Sequence, residues 1–545
     1  MTAKPWLRYY PEDIPPTLTY PEKPLYHFLD RSAEQYERAP ALVFFGQKIS
    51  YGQLRELVDR FAAALVQIGA KPGERISLML PNIPQFVIAF YGALKAGLTV
   101  VQTNPLYTED ELQGILGDSQ AETLITLDRF YEKVLHVQGK THLKRIIVTG
   151  VQEFFPGLLR LGYLLRERPK RIRPNPPNVY LFSDLIRSAP AHPPEIPVRS
   201  SDVALLQYTG GTTGIPKGAM LTHRNLVANT LQARSWFPRA QEAQEKCLCV
   251  LPLFHIYAMT VALNLSMALA AALILVPRFQ IDELLKIIDR ERPSLFPGAP
   301  TIYAAIANHP RVKHYHVSSI RACISGSAPL PLEVKRRFEE LTGAVLVEGY
   351  GLSEASPVTH CNPLYGRQVP GSIGIPFPDT DAKIVDPQSD RDLPVGEIGE
   401  LVIQGPQVMA GYWNRPDETA HALRGGWLHT GDLARMDEDG YFYIVDRLKE
   451  MIICSGLKVY PREVEEVLYK HPKVLEAAVI GVPDAYRGET VKALIVPRPG
   501  SNPTADEIKK FCAEHLAKYK VPTIVEFRES LPKSIVGKVL KRDLR

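Results

Sequence analysis

The residues 208–223, reading YTGGTTGIPKGAMLTH, constrain this chain more than any other stretch. Gly210, Gly211, Gly214 and Gly218 remove side chains, while Thr209, Thr212, Thr213 and Lys217 supply donors. Glycine lets backbone N–H groups turn inward onto phosphate oxygens, and the hydroxyls and the lysine add further donors and a positive charge. That is the chemistry of a loop that wraps a polyphosphate. It is not the G-x-x-x-x-G-K-[ST] loop, because Lys217 is followed by Gly218. A flexible surface turn has little use for three threonines and a Pro-Lys pair. Residues 203–207 read as a short buried strand and Thr222 as the cap of a helix starting near Arg224, so the run is expected to join a strand to a helix.

With 545 residues the chain is too long for a single core, and two or more domains are expected. Its 45% hydrophobic and 23% charged residues are ordinary for a globular protein, and a net charge of +5 gives no reason to expect nucleic acid as a partner. Six cysteines are scattered without a CxxC pair, and no histidines stand at zinc-finger spacing; this speaks against disulfide and metal frameworks and fits a reducing, cytoplasmic setting. Residues 1–16 lack a basic patch followed by an apolar run, so no secretory signal is expected. Residues 256–276 carry no charge and are long enough to span a bilayer, but Asn264 and Ser266 interrupt them and they end in a strand-like Leu-Ile-Leu-Val. A buried helix leading into a buried strand is the better reading.

From residue 24 to 149 the apolar spacing alternates between helix and strand. Ser50 and Gln53 make a capping box for a helix that carries Leu54, Leu57, Phe61, Leu65 and Ile68 on one face and ends at Gly69. Strands at 76–80, 98–102 and 123–127 enclose a helix at 84–96 and another after Thr108, which pairs with Glu111 as a second box. Such units imply an α/β domain with largely parallel sheets. The alternation breaks at 154–174, where Phe154, Leu158, Leu161 and Leu165 share a helical face and Arg166, Arg168, Lys170, Arg171 and Arg173 follow. Two readings stand: a short interfacial helix lying on anionic lipid at the inner face of the membrane, or a solvated basic helix packed on the domain. A glycine- and proline-rich β-region runs from residue 371 to about 443, and beyond 451 the sequence turns compact and α+β.

The run 208–223 resembles the phosphate-binding signature of the adenylate-forming superfamily, which includes acyl-CoA synthetases, peptide-synthetase adenylation domains and beetle luciferases. Other stretches resemble that family's motifs and together cover most of the chain. Residues 347–354, VEGYGLSE, resemble its aromatic-Gly-x-Ser/Thr-Glu motif. The resemblance implies Tyr350 and Gly351 at the adenine, Ser353 near phosphate, and Glu354 with Thr209 on Mg2+, a hard cation that takes oxygen ligands. Residues 325–329 resemble the loop that lines the adenine and acyl sites, with Gly326 on the acyl side and Ser327, Ala328 and Pro329 at the nucleotide. Asp432 falls where the family holds the ribose hydroxyls, Arg447 where it contacts ribose and phosphate, and Lys449 at its hinge. Residues 251–257 resemble the stretch beside the substrate carboxylate, which implies positioning roles for His255 and Tyr257. Met259 stands where some long-chain members carry an aromatic gate. Lys538, in 531–542, matches the C-terminal lysine that reaches the carboxylate and the α-phosphate. Ser455, Gly456 and Lys458 lie in 452–461, which resembles the lining of the pantetheine channel.

Taken whole, the chain is most similar to bacterial long-chain fatty acid–CoA ligases, 101–107 included. The resemblance implies an α/β fold: a large N-terminal domain of α/β sheets plus a β-rich subdomain over 1–446, a hinge at 447–449, and a small mobile α+β C-terminal domain over 450–545. It implies ATP-dependent ligation of a medium-to-long-chain fatty acid to coenzyme A through an acyl-adenylate. Two alternatives stay open: a ligase that passes the acyl group to a carrier protein or another acceptor, and a non-catalytic nucleotide- and lipid-binding protein of the membrane surface. Acyl chain length and oligomeric state are not legible in the sequence.

Overall fold

In the computed structural model, strands rich in β-branched residues stack into sheets covered by amphipathic helices. The structure describes residues 4–167, 178–192, 195–209, 216–454, 457–484, 487–533 and 539–544. The largest sheet has eight strands in the order Gly411–Tyr412, Lys217–Thr222, Val203–Thr209, Thr99–Gln102, Arg75–Met79, Thr123–Leu127, Arg145–Thr149, Val179–Leu181. From Val203–Thr209 onward all neighbours are parallel, as strand–helix–strand connections require. Alternate residues feed two cores: Val100 and Leu205 pack with helices Tyr51–Gln67 and Pro84–Lys95, while Val101 and Leu206 pack with Glu109–Ser119 and Tyr131–Gln138.

Local signals place the helices. Ser50 and Thr108 each accept the backbone N–H three residues on and donate their own N–H to that residue's side chain, so both expected capping boxes are present. The uncharged stretch is a buried helical run, Ile256–Ala258, π-helical Met259–Asn264 and Leu265–Ala268, leading into the strand Ala272–Leu275. That strand is paired on both edges, with Lys246–Cys249 and with Pro40–Phe44. Asn264 is not wasted in this apolar setting, since Tyr91 donates to its Oδ1 at 2.8 Å. Among the described residues no helix is long and apolar enough to cross a membrane.

Two further sheets complete the large unit. Ala322–Ser325, Val345–Gly351, Val358–Cys361 and Ile375–Pro376 form one, and Asp381–Val385, Gly399–Gln404, Leu428–Met436 and Phe442–Arg447 form an antiparallel one. The chain then builds a separate sheet from Ile452–Cys454, Leu457–Val459, Val474–Asp484, Gly488–Pro497 and Ile524–Phe527. Its own apolar core is made with helices Pro461–Lys470 and Ala505–His515.

The basic-flanked segment departs from its expected form. Phe154 closes a 3-10 turn, Val151–Phe154, and the helix Gly157–Glu167 starts only after Pro156. A residue before proline is pushed out of the helical region, and Phe155 is accordingly extended, so Phe154 does not share the leucine face. Phe155 instead packs against Phe45 and Tyr163, with ring centres 4.9 and 5.4 Å away. Residues 168–173 lie outside the described residues.

Helices Tyr51–Gln67 and Pro84–Lys95 approach closely at Gly92, where a Cβ would meet Phe61 at 2.8 Å and the Val58 carbonyl at 3.1 Å. Gly92→Val should lower the unfolding midpoint by several degrees, because overpacking a core costs about 1–3 kcal/mol. Gly114→Ala, on the open side of Glu109–Ser119 with nothing within 4 Å, should leave it unchanged or slightly raised. Thermal melts of both variants check the pair. Equal midpoints would show that these two helices are free to move apart.

Candidate active site

Backbone pairing builds the centre of the site. Val203–Thr209 and Lys217–Thr222 form an antiparallel hairpin in which Thr209 faces Lys217 and Tyr208 faces Gly218. A second strand, Lys217–Thr222, therefore stands between the first and the helix His223–Ser235, in place of the direct strand-to-helix connection expected. Residues 217–222 are held extended because they bond on both edges, to Val203–Thr209 and to Gly411–Tyr412. Thr222 then caps the helix in a box with Asn225. Gly210, Gly211, Thr212, Thr213 and Gly214 lie outside the described residues, so what is seen is the footing of the loop. Gly218 belongs to that footing: a Cβ there would stand 3.1 Å from the Tyr208 ring. The ring is fixed in turn, its hydroxyl donating to Asp118 at 2.6 Å while the other Asp118 oxygen takes Arg415 at 2.7 Å.

The short strand Gly411–Tyr412 puts Tyr412 between two residues singled out in the sequence. The Lys217 ammonium stands 5.4 Å from the Tyr412 ring centre and 3.9 Å from Glu418. The Tyr412 hydroxyl donates to Glu354 Oε1 at 2.8 Å. Burial, with the negative charge of Glu354 beside it, pushes the Tyr412 phenol well above its usual range, so it is a protonated donor. Glu354 sits in the 3-10 turn Ser353–Ala355, which packs on Lys217–Thr222, and its carbonyl accepts the Met409 N–H at 2.7 Å. The Glu354 carboxylate and the Thr209 hydroxyl are hard oxygen donors of the kind Mg2+ takes. Among the described residues no group of three or more His, Cys, Asp or Glu could hold a metal, so a cation at Glu354 would complete its shell with phosphate and water oxygens, as Mg2+ commonly does.

The strand before that turn, Val345–Gly351, carries Tyr350 and Gly351. Gly351 has no room for a side chain, because the Pro357 backbone lies against it. Tyr350 donates to Asp432 Oδ2 at 2.6 Å. Asp432, only 7% exposed, faces Arg447 across the pair Leu428–Met436 and Phe442–Arg447, and Arg447 Nε stands 3.3 Å from Asp432 Oδ1. Burial pulls the Arg447 guanidinium down, but Asp432, Glu450, Tyr350 and Glu354 around it leave it raised, so it stays charged. Tyr350, Ser353, Glu354, Asp432 and Arg447 thus converge.

A third group gathers His255, Tyr257, Met259 and Gly326. Asn82 pins the loop at 250–255, donating to the carbonyls of Cys249 at 3.2 Å and Leu251 at 2.9 Å and accepting the Leu253 N–H at 2.8 Å. His255 Nδ1 accepts the Tyr257 N–H at 3.3 Å and caps Ile256–Ala258. The buried Tyr257 hydroxyl donates to the Ile324 carbonyl at 2.7 Å, and its ring lies where a Cβ on Gly326 would come within 3.1 Å. Ser327, at φ +71°, turns the chain from Gly326 into Ala328 and Pro329. Met259 opens the π-helical turn, and its sulfur lies 2.9 Å from Gln102 Nε2.

Of the C-terminal residues expected at the site, Ser455, Gly456 and Lys538 lie outside the described residues. Lys458 is exposed on the outermost strand of the small sheet, and Lys449 stands in the turn Leu448–Glu450 that follows Arg447. Arg462 ties the helix Pro461–Lys470 back to the end of Phe442–Arg447, its N–H donating to Asp446 at 2.9 Å and its Nη1 to the Ile444 carbonyl at 2.8 Å. Lys541 adds ion pairs to Glu465 at 2.8 Å and Glu450 at 3.5 Å. Burial pushes the Asp446 carboxyl up to about 6 against the opposing pull of Lys541. Tyr412, Glu418, Asp118 and Arg415 were not singled out in the sequence. Tyr412 joins Lys217 only through strand pairing, and the aromatic pair after Gly411 is its one local signal.

Comparison with known proteins gives the family and the fold. The model for the AMP-binding enzyme family matches residues 29–413, and that for the AMP-binding enzyme C-terminal domain matches 463–538. The chain is 47% identical to a long-chain-fatty-acid–CoA ligase of Bacillus subtilis (strain 168), across 100% of this chain and 98% of that protein. It is 41% identical to a ligase of the same description from Yersinia pestis, across 99% and 98% of the two chains. The crystal structure of ATP-bound MatB from Rhodopseudomonas palustris is similar with a TM-score of 0.84 at 29% identity, covering 96% of this chain and 98% of that one. By motif, fold and full-length identity, the chain belongs to the AMP-binding enzyme family.

Proposed function

We propose that this protein is an AMP-forming ligase that joins a medium-to-long-chain fatty acid to coenzyme A in two steps. The fatty carboxylate attacks the α-phosphorus of ATP, the bond from that phosphorus to the bridging oxygen breaks, and pyrophosphate leaves an acyl-adenylate. The thiol of coenzyme A then attacks the acyl carbon, its proton passes to solvent, and AMP departs. The observation that carries this reading is the convergence of Lys217, Glu354, Asp432 and Arg447 from separate stretches of the chain, through Tyr412 on one side and Tyr350 on the other. The full-length likeness to long-chain-fatty-acid–CoA ligases supports the acyl class.

The first step asks for alignment and charge neutralisation more than for a protein nucleophile. In this reading Thr209, Thr212 and Thr213, with the N–H groups of Gly210, Gly211 and Gly214, cradle the phosphates that Lys217 neutralises. Tyr350, Ser327, Ala328 and Pro329 border the adenine, Asp432 holds the ribose hydroxyls with two oxygens, and Arg447 and Ser353 reach the ribose and phosphate. Glu354 and Thr209 hold Mg2+, which when bound neutralises phosphate charge. His255 and Tyr257 orient the carboxylate, which has no proton to lose and so needs no general base. Met259 and Gly326 border the acyl route. Lys538 serves adenylation; after the 450–545 domain turns about Lys449, Ser455, Gly456 and Lys458 line the path of the thiol. The separate sheet and core of that domain, joined to the rest through polar contacts around Asp446, support such a turn.

The helix Gly157–Glu167 supports a companion proposal for the route of the substrate. Leu158, Leu161 and Leu165 are 89%, 58% and 72% exposed, an apolar stripe that leads in sequence to Arg168, Lys170, Arg171 and Arg173. In this reading the stripe rests on an anionic bilayer, the reservoir of a fatty acid.

The alternating-domain reading is tested by separating the half-reactions. Lys538→Ala should reduce adenylation by roughly a hundredfold or more, the worth of one charge-assisted contact in the transition state, yet still convert supplied acyl-adenylate and coenzyme A to thioester. Gly456→Ile should do the reverse. Equal failure of both variants in both assays contradicts the alternation. For the helix, changing Arg168, Lys170, Arg171 and Arg173 to Glu should abolish the salt-sensitive binding of the intact protein to anionic vesicles without lowering its melting temperature. Unchanged binding removes the bilayer proposal.

A further inference from the structure

The contact between Tyr412 and Glu354 reaches further than the shape of the site. One carboxylate oxygen, Oε1, is occupied by a buried tyrosine hydroxyl at 2.8 Å, and the tyrosine cannot swing away freely. Its strand is paired to Lys217–Thr222, its backbone N–H donates to Thr419 Oγ1 at 2.8 Å, and its ring is packed under Lys217. A cation that bound this carboxylate through both oxygens would have to share Oε1 with the phenol's hydrogen bond, whereas one bound through Oε2 would not. Mg2+ is small, demands near-octahedral geometry at about 2.0–2.1 Å and is content with single-oxygen carboxylate ligands, whereas Ca2+ sits at about 2.3–2.6 Å and gains from carboxylates that bind through both oxygens.

We propose that Tyr412 is a positioning residue that sets cation selectivity: by holding Oε1 of Glu354 in a hydrogen bond, it keeps the carboxylate monodentate and makes the site prefer nucleotide carried by Mg2+ over nucleotide carried by Ca2+. This rests on the reading, given above, that Glu354 is the cation ligand. Among the described residues, the charged and titratable groups around the carboxylate and its partners are Tyr412, Arg447 and, across the Tyr412 ring, Lys217 with Glu418. None of these is a second carboxylate in hydrogen-bond contact with Glu354, so the constraint on the oxygens comes from the phenol.

The test is direct binding to the full-length protein by calorimetry, with ATP in the presence of Mg2+ alone or Ca2+ alone, for the wild type, Tyr412→Phe and Glu354→Gln. Phenylalanine keeps the ring beneath Lys217 and removes only the hydroxyl. Tyr412→Phe should lower the ratio of Mg2+-supported to Ca2+-supported affinity by about tenfold, the size of one hydrogen bond to a charged group, chiefly through tighter binding with Ca2+. If the substitution weakens binding equally with both cations, Tyr412 is only packing and the proposal is overturned. If Glu354→Gln binds ATP with an undiminished requirement for Mg2+, the underlying assignment of Glu354 fails, and the role of Tyr412 falls with it. A Glu354→Gln that loses the cation requirement, beside a Tyr412→Phe whose ratio is unchanged, overturns the selectivity claim alone.

Discussion

Two rows of backbone hydrogen bonds, one on each edge of Lys217–Thr222, hold the candidate site in place. The inner row sets Thr209 opposite Lys217, so the two ends of the glycine-rich loop leave the sheet side by side. The outer row brings in Gly411–Tyr412 and with it the aromatic ring that lies between Lys217 and Glu354. A slip of one residue in either register would turn these side chains to the opposite face of the sheet. The site is therefore specified by strand pairing before any side-chain contact is made.

Absent side chains do similar work nearby. Gly218 leaves the space that Tyr208 fills, and Gly326 the space that Tyr257 fills, each within 3.1 Å of where a Cβ would stand. In both places the tyrosine hydroxyl is then committed, to Asp118 and to the Ile324 carbonyl, so neither ring can drift. Glycines beside a glycine-rich run invite a reading in terms of flexibility. Here two of them are spacers for aromatic rings that stiffen the floor of the site.

Much of this was legible in the sequence, and the exceptions have physical causes. Ser50, Thr108 and Thr222 cap the helices they were expected to cap, because a capping box is a contact between residues three apart and needs nothing from the rest of the fold. The buried run after residue 256 was likewise read from its composition. The strand Lys217–Thr222 was hidden, because Pro216, Lys217 and Gly218 look like loop and only partners on both sides make them extended. Tyr412 was invisible for the same reason, its function arising from a neighbour far away in the chain. Spacing alone puts Phe154 on the leucine face, and Pro156 breaks that spacing. Site positions taken from motifs, such as Tyr350, Asp432 and Arg447, meet in space even though no local rule links them.

Polar contacts join the small domain to the large one at the end of Phe442–Arg447, where Arg462 donates to Asp446 and to the Ile444 carbonyl and the charge of Lys541 lies close to Asp446. Contacts of this kind can be exchanged for water at little net cost, which is what the proposed turn of the C-terminal domain would require. What such a molecule makes is best asked directly, by following pyrophosphate release and thioester formation over a panel of carboxylates with and without coenzyme A. Thioester should form from medium-to-long fatty acids, with coenzyme A and a divalent cation both required for turnover. A panel in which only acetate or aromatic acids react, or in which AMP forms equally fast without coenzyme A, would contradict the account.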